Sequence, residues 1–223
     1  MPKRNRKKVH YSRYLTINNE EIEVNASNKF GVFVPILERM FGQLDASFRI
    51  HKRVHVVLFI LQHRETSQDN KDISKFMNVL IQWIKRKYKT KKVGYAWVRE
   101  WEKAKTKSHH YHCVLFVDGD KVRHPNEIIK AVKSKWFKYG NVPDKFLKNF
   151  YYNLRKENYK ETRDAIIWRL SYYAKPRGKG YRNPQSSDYQ TSRLKWFFHF
   201  VMMTQLILFK RFEFSISVEV FSK

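Results

Sequence analysis

Histidines at alternating positions open a stretch of the chain that looks like a β-strand. Residues 107–117 are KSHHYHCVLFV, in which His109, His110 and His112 precede a run of apolar residues. Side chains alternate between the two faces of a strand, so His110 and His112 project from the same face. Two imidazoles placed in this way can bind one divalent metal ion. A His-x-His pair is also common on the polar edge of an amphipathic strand, so this pattern alone is a weak signal.

Carboxylates on the preceding segment, YAWVREWE, could supply a third metal ligand. Glu100 and Glu102 share one face of a strand there, and we expect a hairpin with Glu102 opposite His110 and Glu100 opposite His112. A slip of one residue would send the carboxylates to the other face. The residues leave Glu100, Glu102 and His109 as candidates for the third ligand. Imidazole and carboxylate ligands together admit Mg²⁺ or Mn²⁺ as the cofactor.

A tyrosine near the end of a predicted helix is a candidate nucleophile. The segment 162–174 has helical spacing, and Tyr173 falls on its apolar stripe whereas Tyr172 does not. Tyr172 lies beside Lys175, whose ammonium could stabilise a phenolate or a phosphate oxygen. A surface tyrosine and lysine without any catalytic role would give the same pattern.

The elements that must position these side chains follow from hydrophobic periodicity. Their order favours an α+β fold with an antiparallel sheet and helices packed on one face. The predicted helices are 33–48, 73–88, 126–139 and 162–174, and the predicted strands are 54–61, 95–102, 109–118 and, less clearly, 150–154.

The charge of the chain indicates its partner class. Of 223 residues, 46 are Lys or Arg and 20 are Asp or Glu, which gives a net charge of +26. A charge this high favours a nucleic-acid partner over an anionic membrane surface or a merely basic surface. Because 42% of residues are apolar, the chain can form a hydrophobic core. Its single cysteine, Cys113, excludes an intramolecular disulfide and favours a reducing compartment.

Basic residues cluster in two candidate DNA-binding segments. One is the end of the second predicted helix, where cations would also complement the helix dipole. The other is the loop KPRGKGYRNPQSSDYQTS after the last helix. The candidate DNA-binding residues are Arg86, Lys87, Lys91, Lys92, Arg177, Lys179 and Arg182.

The composition divides the chain into three parts. Residues 1–30 are predicted to be a basic N-terminal arm, residues 31–193 a single domain, and residues 194–223 an apolar extension with the alternation of an added strand. The most apolar segment, 196–209, is too short to span a bilayer.

Several of these motifs in this order, VREWE, HHYHCVLFVDG, YYAK and TSR, resemble the HUH endonucleases. The chain is most similar to the filamentous-phage (inovirus-type) replication initiator family, also found in bacterial prophages, from about residue 33 to residue 193. The resemblance implies a ferredoxin-like core in which His110 and His112 hold a divalent metal, with Glu100 at the family's third position. It also implies that Tyr172 attacks DNA and becomes joined to the 5′ phosphate.

The resemblance therefore predicts a rolling-circle replication initiator in the cytoplasm of a bacterial host. The DNA that it binds would be single-stranded DNA or an origin. The chain has no phosphate-binding GxxxxGK[ST] motif, so a host helicase would separate the strands, and a host polymerase would act with it. No membrane partner is expected. A single-tyrosine transposase with the same chemistry is the nearest alternative. A non-catalytic DNA-binding regulator is the second, and a ribosomal-type structural protein, favoured only by charge, is the third.

Overall fold

The computed structural model describes residues 8–65, 67–101, 108–143, 150–180 and 185–195. These residues form four helices and ten strands. The helices are α1 (Val34–His51), α2 (Lys71–Lys87), α3 (Asn126–Trp136) and α4 (Tyr159–Tyr173). The strands are β1 (Val9–His10), β2 (Tyr14–Ile17), β3 (Glu20–Glu23), β4 (Val32–Phe33), β5 (Val54–His63), β6 (Gly94–Glu100), β7 (His110–Asp118), β8 (Gly140–Asn141), β9 (Tyr151–Leu154) and β10 (Tyr189–Thr191).

The central sheet has the strand order β10-β6-β7-β5-β8, and β9 also pairs with β5. All of these pairs are antiparallel. Within it, the segment β5-α2-β6-β7-α3-β9 has the spatial order β9-β5-β7-β6, which is the ferredoxin-like arrangement. The predicted α+β class and antiparallel sheet are thus confirmed, as are the eight predicted helices and strands, with shifts at their ends.

Helices cover both faces of this sheet, whereas the sequence predicted helices on one face. Along β5, Val56 and Leu58 pack with α1 and α4, while Val57 and Phe59 pack with α2 and α3. The one-face expectation holds for α2 and α3, the two connecting helices of the ferredoxin-like unit. Helices α1 and α4 lie outside that unit and cover the other face. A strand buried on both faces is a nearly continuous apolar run, as β5 is.

The N-terminal part of the chain is folded from residue 8 onward, so the prediction of an arm over residues 1–30 is wrong for residues 8–30. Strands β2 and β3 form a hairpin around Asn18 and Asn19, whose φ angles are 52° and 64°. Two central residues with positive φ define a type I′ turn, and asparagine tolerates it well. Leu15 and Ile22 of the hairpin are buried in the core that α1 and α4 share.

The domain also continues past the predicted boundary at residue 193. Strand β10 pairs with the edge of β6, and the Leu194 amide then donates to the Gln43 side-chain oxygen at 2.9 Å. The strand predicted within 194–223 and the apolar segment 196–209 lie outside the described residues. Within the described ranges, none of the helices is long and apolar enough to cross a membrane.

The core between α2, α3 and the sheet depends on Trp136. Its ring is fully buried, lies 5.1 Å from the Phe76 ring, and its Nε1 donates to the Gln62 carbonyl at 3.0 Å. We expect Trp136→Ala to lower the free energy of unfolding by about 3–5 kcal/mol, because it leaves a large cavity. The neighbouring Phe137 is 74% exposed, so Phe137→Ala should change the free energy of unfolding by less than about 0.5 kcal/mol. Urea denaturation measures both, and equal losses would contradict this assignment.

Candidate metal centre and nucleophile

The pairing of β6 with β7 brings a carboxylate to the histidine pair. Glu100 lies opposite His110, and Val98 lies opposite His112. The predicted hairpin instead placed Glu102 opposite His110, so the observed register differs by two residues. A shift of two residues keeps every side chain on its face because the period of a strand is two. Glu100 and both histidines therefore share the face that α1 and α4 cover.

Glu100, His110 and His112 form a group that could hold one metal ion. Their ligand atoms all lie within 4.8 Å of one another. The Glu100 Oε2 is 3.3 Å from the His112 Nε2 and 3.7 Å from the His110 Nε2. Ligands about 2.1 Å from an ion, at angles near those of octahedral or tetrahedral sites, are separated by roughly 3.0–3.4 Å. The separation between Glu100 and His112 already lies in this range, and that between Glu100 and His110 is slightly longer.

Of the two candidates for the third ligand that lie within the described residues, Glu100 is the one at the site. His109 points to the opposite face of the sheet, where its ring stacks on His63 at 4.8 Å and its Nε2 lies 3.0 Å from the Tyr111 hydroxyl. Glu102 lies outside the described residues. The sequence could not choose among the three because the choice depends on the hairpin register.

The electrostatics of the site favour metal-binding protonation states. Burial by itself would raise the pKa of Glu100, but hydrogen bonds with His110 and His112 and the charge of Lys179 hold that pKa well below its usual range. Burial lowers the pKa of His112, and the Glu100 carboxylate only partly offsets this effect. An ionised carboxylate and a neutral imidazole are the forms that bind metal ions.

Lys179 is a partner of the candidate ligand Glu100. Its Nζ donates to the Glu100 Oε1 at 2.6 Å, and its side chain is only 3% exposed. The sequence placed Lys179 among the DNA-binding residues, and the structure corrects this because a buried ammonium paired with a carboxylate cannot lie against a DNA backbone. The loop that carries Lys179 comes close to Glu100 at Gly178. This residue has a φ of 71°, which favours glycine, and it lies against the Glu100 backbone.

Tyr172 lies beside the candidate metal ligands. Its ring centroid is 5.9 Å from that of His112, with the two rings nearly perpendicular, and the Lys175 Nζ lies 5.3 Å from the Tyr172 ring centroid. Tyr173 instead stacks on His112 at 4.7 Å and is 1% exposed, and burial raises its pKa far above the ordinary value. The structure thus brings together the predicted residues Tyr172, Lys175, His110, His112 and Glu100, with Tyr173 in the core.

Asn25 also belongs to this neighbourhood, and sequence reasoning missed it. Its Oδ1 accepts a hydrogen bond from the Lys175 Nζ at 3.0 Å. Asn25 lies in the region predicted to be an arm, so nothing in the local sequence linked it to Lys175.

The remaining predicted DNA-binding residues lie in two places. Arg86, Lys87, Lys91 and Lys92 are exposed around the end of α2, close to the start of β6 at Gly94, whereas Glu100 is at its other end. Six steps along a strand span about 20 Å, so this patch is remote from the candidate metal ligands. Arg177 is exposed in the loop after α4, and Arg182 lies outside the described residues.

The fold and the donor set define a ferredoxin-like domain with a His₂Glu group at the end of its central strands. The family model described as YagK/YfjJ C-terminal domain matches residues 15–187. The chain therefore belongs to the YagK/YfjJ C-terminal domain family. No curated protein and no solved structure matches it. The description of the family names no activity, so the likeness to phage replication initiators stays a prediction.

Metal binding can be tested by removing one ligand. We expect His112→Ala to weaken Mn²⁺ binding by more than about tenfold. Even residues that only hydrogen-bond to metal ligands typically contribute about tenfold to metal affinity, and His112 is itself a candidate ligand. His124→Ala is the matched control, since His124 is exposed and outside this group. Calorimetric titration of metal-free protein with MnCl₂ measures both affinities. If both variants bound Mn²⁺ like the unaltered chain, the assignment of these three ligands would be wrong.

Proposed function

We propose that the chain is a metal-dependent DNA endonuclease that nicks and rejoins single-stranded DNA through Tyr172. The observation that carries this proposal is the position of the Tyr172 ring, 5.9 Å from the ring of His112 in the Glu100–His110–His112 group. Tyr172 belongs to α4, which lies far along the chain from β6 and β7, yet its ring is next to that of His112. A merely basic scaffold gives no physical reason for a phenol, two imidazoles and a carboxylate to converge.

The proposed reaction is a transesterification. The Tyr172 hydroxyl oxygen forms a bond to the scissile phosphorus, and the bond from phosphorus to the 3′ oxygen of the preceding nucleotide breaks. The products are a 5′-phosphotyrosine and a free 3′ hydroxyl, which receives the proton that the phenol loses. Because a phenolate is a good leaving group, a 3′ hydroxyl can reverse the step and rejoin the strand.

The side chains around Tyr172 suit this chemistry. A phenol is a weak nucleophile near neutral pH and needs a nearby cation. The Lys175 ammonium lies over its ring and can bind a phosphate oxygen. A divalent ion on Glu100, His110 and His112 would polarise the phosphate and offset charge in the transition state. Two imidazoles and one carboxylate fit Mn²⁺ well and also admit Mg²⁺.

The biological setting we propose is rolling-circle replication. The net charge of +26 supports a DNA substrate, and the likeness to phage initiators supports replication initiation over other uses of the same reaction. A host helicase and polymerase would then extend the free 3′ hydroxyl. A single-tyrosine transposase would use the same residues, and the two are distinguished by the DNA they cleave: an origin or a hairpin-flanked end.

The covalent intermediate is directly observable. The protein is incubated with Mn²⁺ and single-stranded oligonucleotides of mixed sequence labelled at the 3′ end, because the 3′ fragment is the one that stays joined to Tyr172, and a denaturing gel detects label that migrates with the protein. We expect the unaltered chain to form this adduct and Tyr172→Phe to form none while still binding DNA, because only the nucleophilic oxygen is lost. Tyr173→Phe is the matched control and should form the adduct, since Tyr173 is buried in the core.

Other outcomes would assign a different role. Binding without an adduct in the unaltered chain, with Tyr172→Phe indistinguishable from it, would favour a non-catalytic DNA-binding regulator. An adduct that survives in Tyr172→Phe but disappears in Tyr173→Phe would move the nucleophile to the neighbouring residue.

A further inference from the structure

The chain from Asn25 to Phe33 is hydrogen-bonded at both ends to the C-terminal end of α4 and the residue that follows it, next to Tyr172. At one end, the Asn25 amide donates to the Ser171 hydroxyl at 2.7 Å. At the other end, the Phe33 amide donates to the Ala174 carbonyl at 2.7 Å. This segment is therefore held in a fixed position next to the candidate nucleophile.

The same segment presents an aromatic ring to solvent. The Ser27 amide donates to the Phe30 carbonyl at 2.9 Å, and the Phe30 amide donates to the Ser27 carbonyl at 3.0 Å. These two bonds close a tight turn that fixes the backbone of Phe30. Its side chain is nevertheless 56% exposed. An exposed phenyl ring on a fixed backbone is a suitable surface for an external planar group.

Lys175 lies between this ring and the nucleophile. Its Nζ is 5.5 Å from the Phe30 ring centroid and 5.3 Å from that of Tyr172. An ammonium has three donors, and the hydrogen bond to Asn25 uses one of them. Further donors can therefore point to phosphate oxygens in the space between the two rings.

We propose that Phe30 stacks on an unpaired nucleobase next to the phosphate that Tyr172 attacks, with Lys175 binding the backbone between them. This inference rests on the proposed function for the identity of that phosphate. Aromatic side chains stack on bases of any sequence because every base has a π face. A base within a duplex already stacks on its neighbours, so a Phe30 platform selects for single-stranded DNA near the nick.

The test separates base contacts from phosphate contacts. Full-length protein is titrated into two fluorescent probes of about 12 nucleotides, a usual site size for a single strand: oligothymidylate, and an abasic deoxyribose-phosphate strand with the same number of phosphates. We expect Phe30→Ala to weaken oligothymidylate binding by about 5- to 150-fold and to leave binding of the abasic strand unchanged. Phe30→Trp should retain binding, because indole stacks as well as phenyl. Phe137→Ala, which removes an exposed aromatic ring beyond α3 on the other side of the sheet, is the matched control.

The results distinguish this inference from the proposed nuclease activity. Equal affinities of Phe30→Ala and the unaltered chain for oligothymidylate would overturn the stacking role, as would equal losses for both probes. If the unaltered chain forms no covalent adduct but Phe30→Ala loses only base-dependent affinity, the nuclease proposal fails and the stacking site stands. If the unaltered chain forms the covalent adduct but Phe30→Ala binds oligothymidylate as the unaltered chain does, the nuclease proposal stands and the stacking role fails.

Discussion

The pairing of β6 with β7 is the constraint on which the candidate site depends. The register sets Glu100 opposite His110, and alternation along β7 adds His112 on the same face. A slip by one residue would turn Glu100 or the histidines toward α2 and α3. Helix α4 packs on that same face through Ile166, Ile167 and Leu170, and this packing places the Tyr172 ring beside that of His112. The chemistry of the site is therefore a consequence of which way two strands and one helix face.

The sequence predicted which residues meet at the site better than it predicted their connections to the rest of the fold. Glu100, His110, His112 and Tyr172 could be identified because strand and helix periodicity fix which side chains share a face. The role of Lys179 could not, since it depends on how the loop after α4 folds back to β6. The folded structure of residues 8–30 was missed for a different reason: the alternation in YLTI and EEIE around two asparagines is a hairpin signal, but basic residues at the N-terminus favoured an arm.

Charge compensation explains how the candidate ligand Glu100 can be buried. Its carboxylate is almost inaccessible, yet it is matched by the Lys179 ammonium on one oxygen and by two imidazoles on the other. A buried carboxylate without such partners would be costly. The lysine also joins the loop after α4 to β6, with the Trp101 amide donating to the Gly178 carbonyl at 2.8 Å. One ion pair thus supports both the candidate ligand Glu100 and the segment that follows Tyr172.

The coverage of both sheet faces by helices decides how a long polymer can approach. A sheet with one open face offers a flat platform across which a polymer can lie, but within the described residues α1 and α4 cover one face of this sheet and α2 and α3 cover the other. Among the three ligands, His110 at the beginning of β7 has the largest accessible fraction, 22% of its side chain. Within the described residues, the candidate ligands are therefore most accessible at the rim where the strands stop.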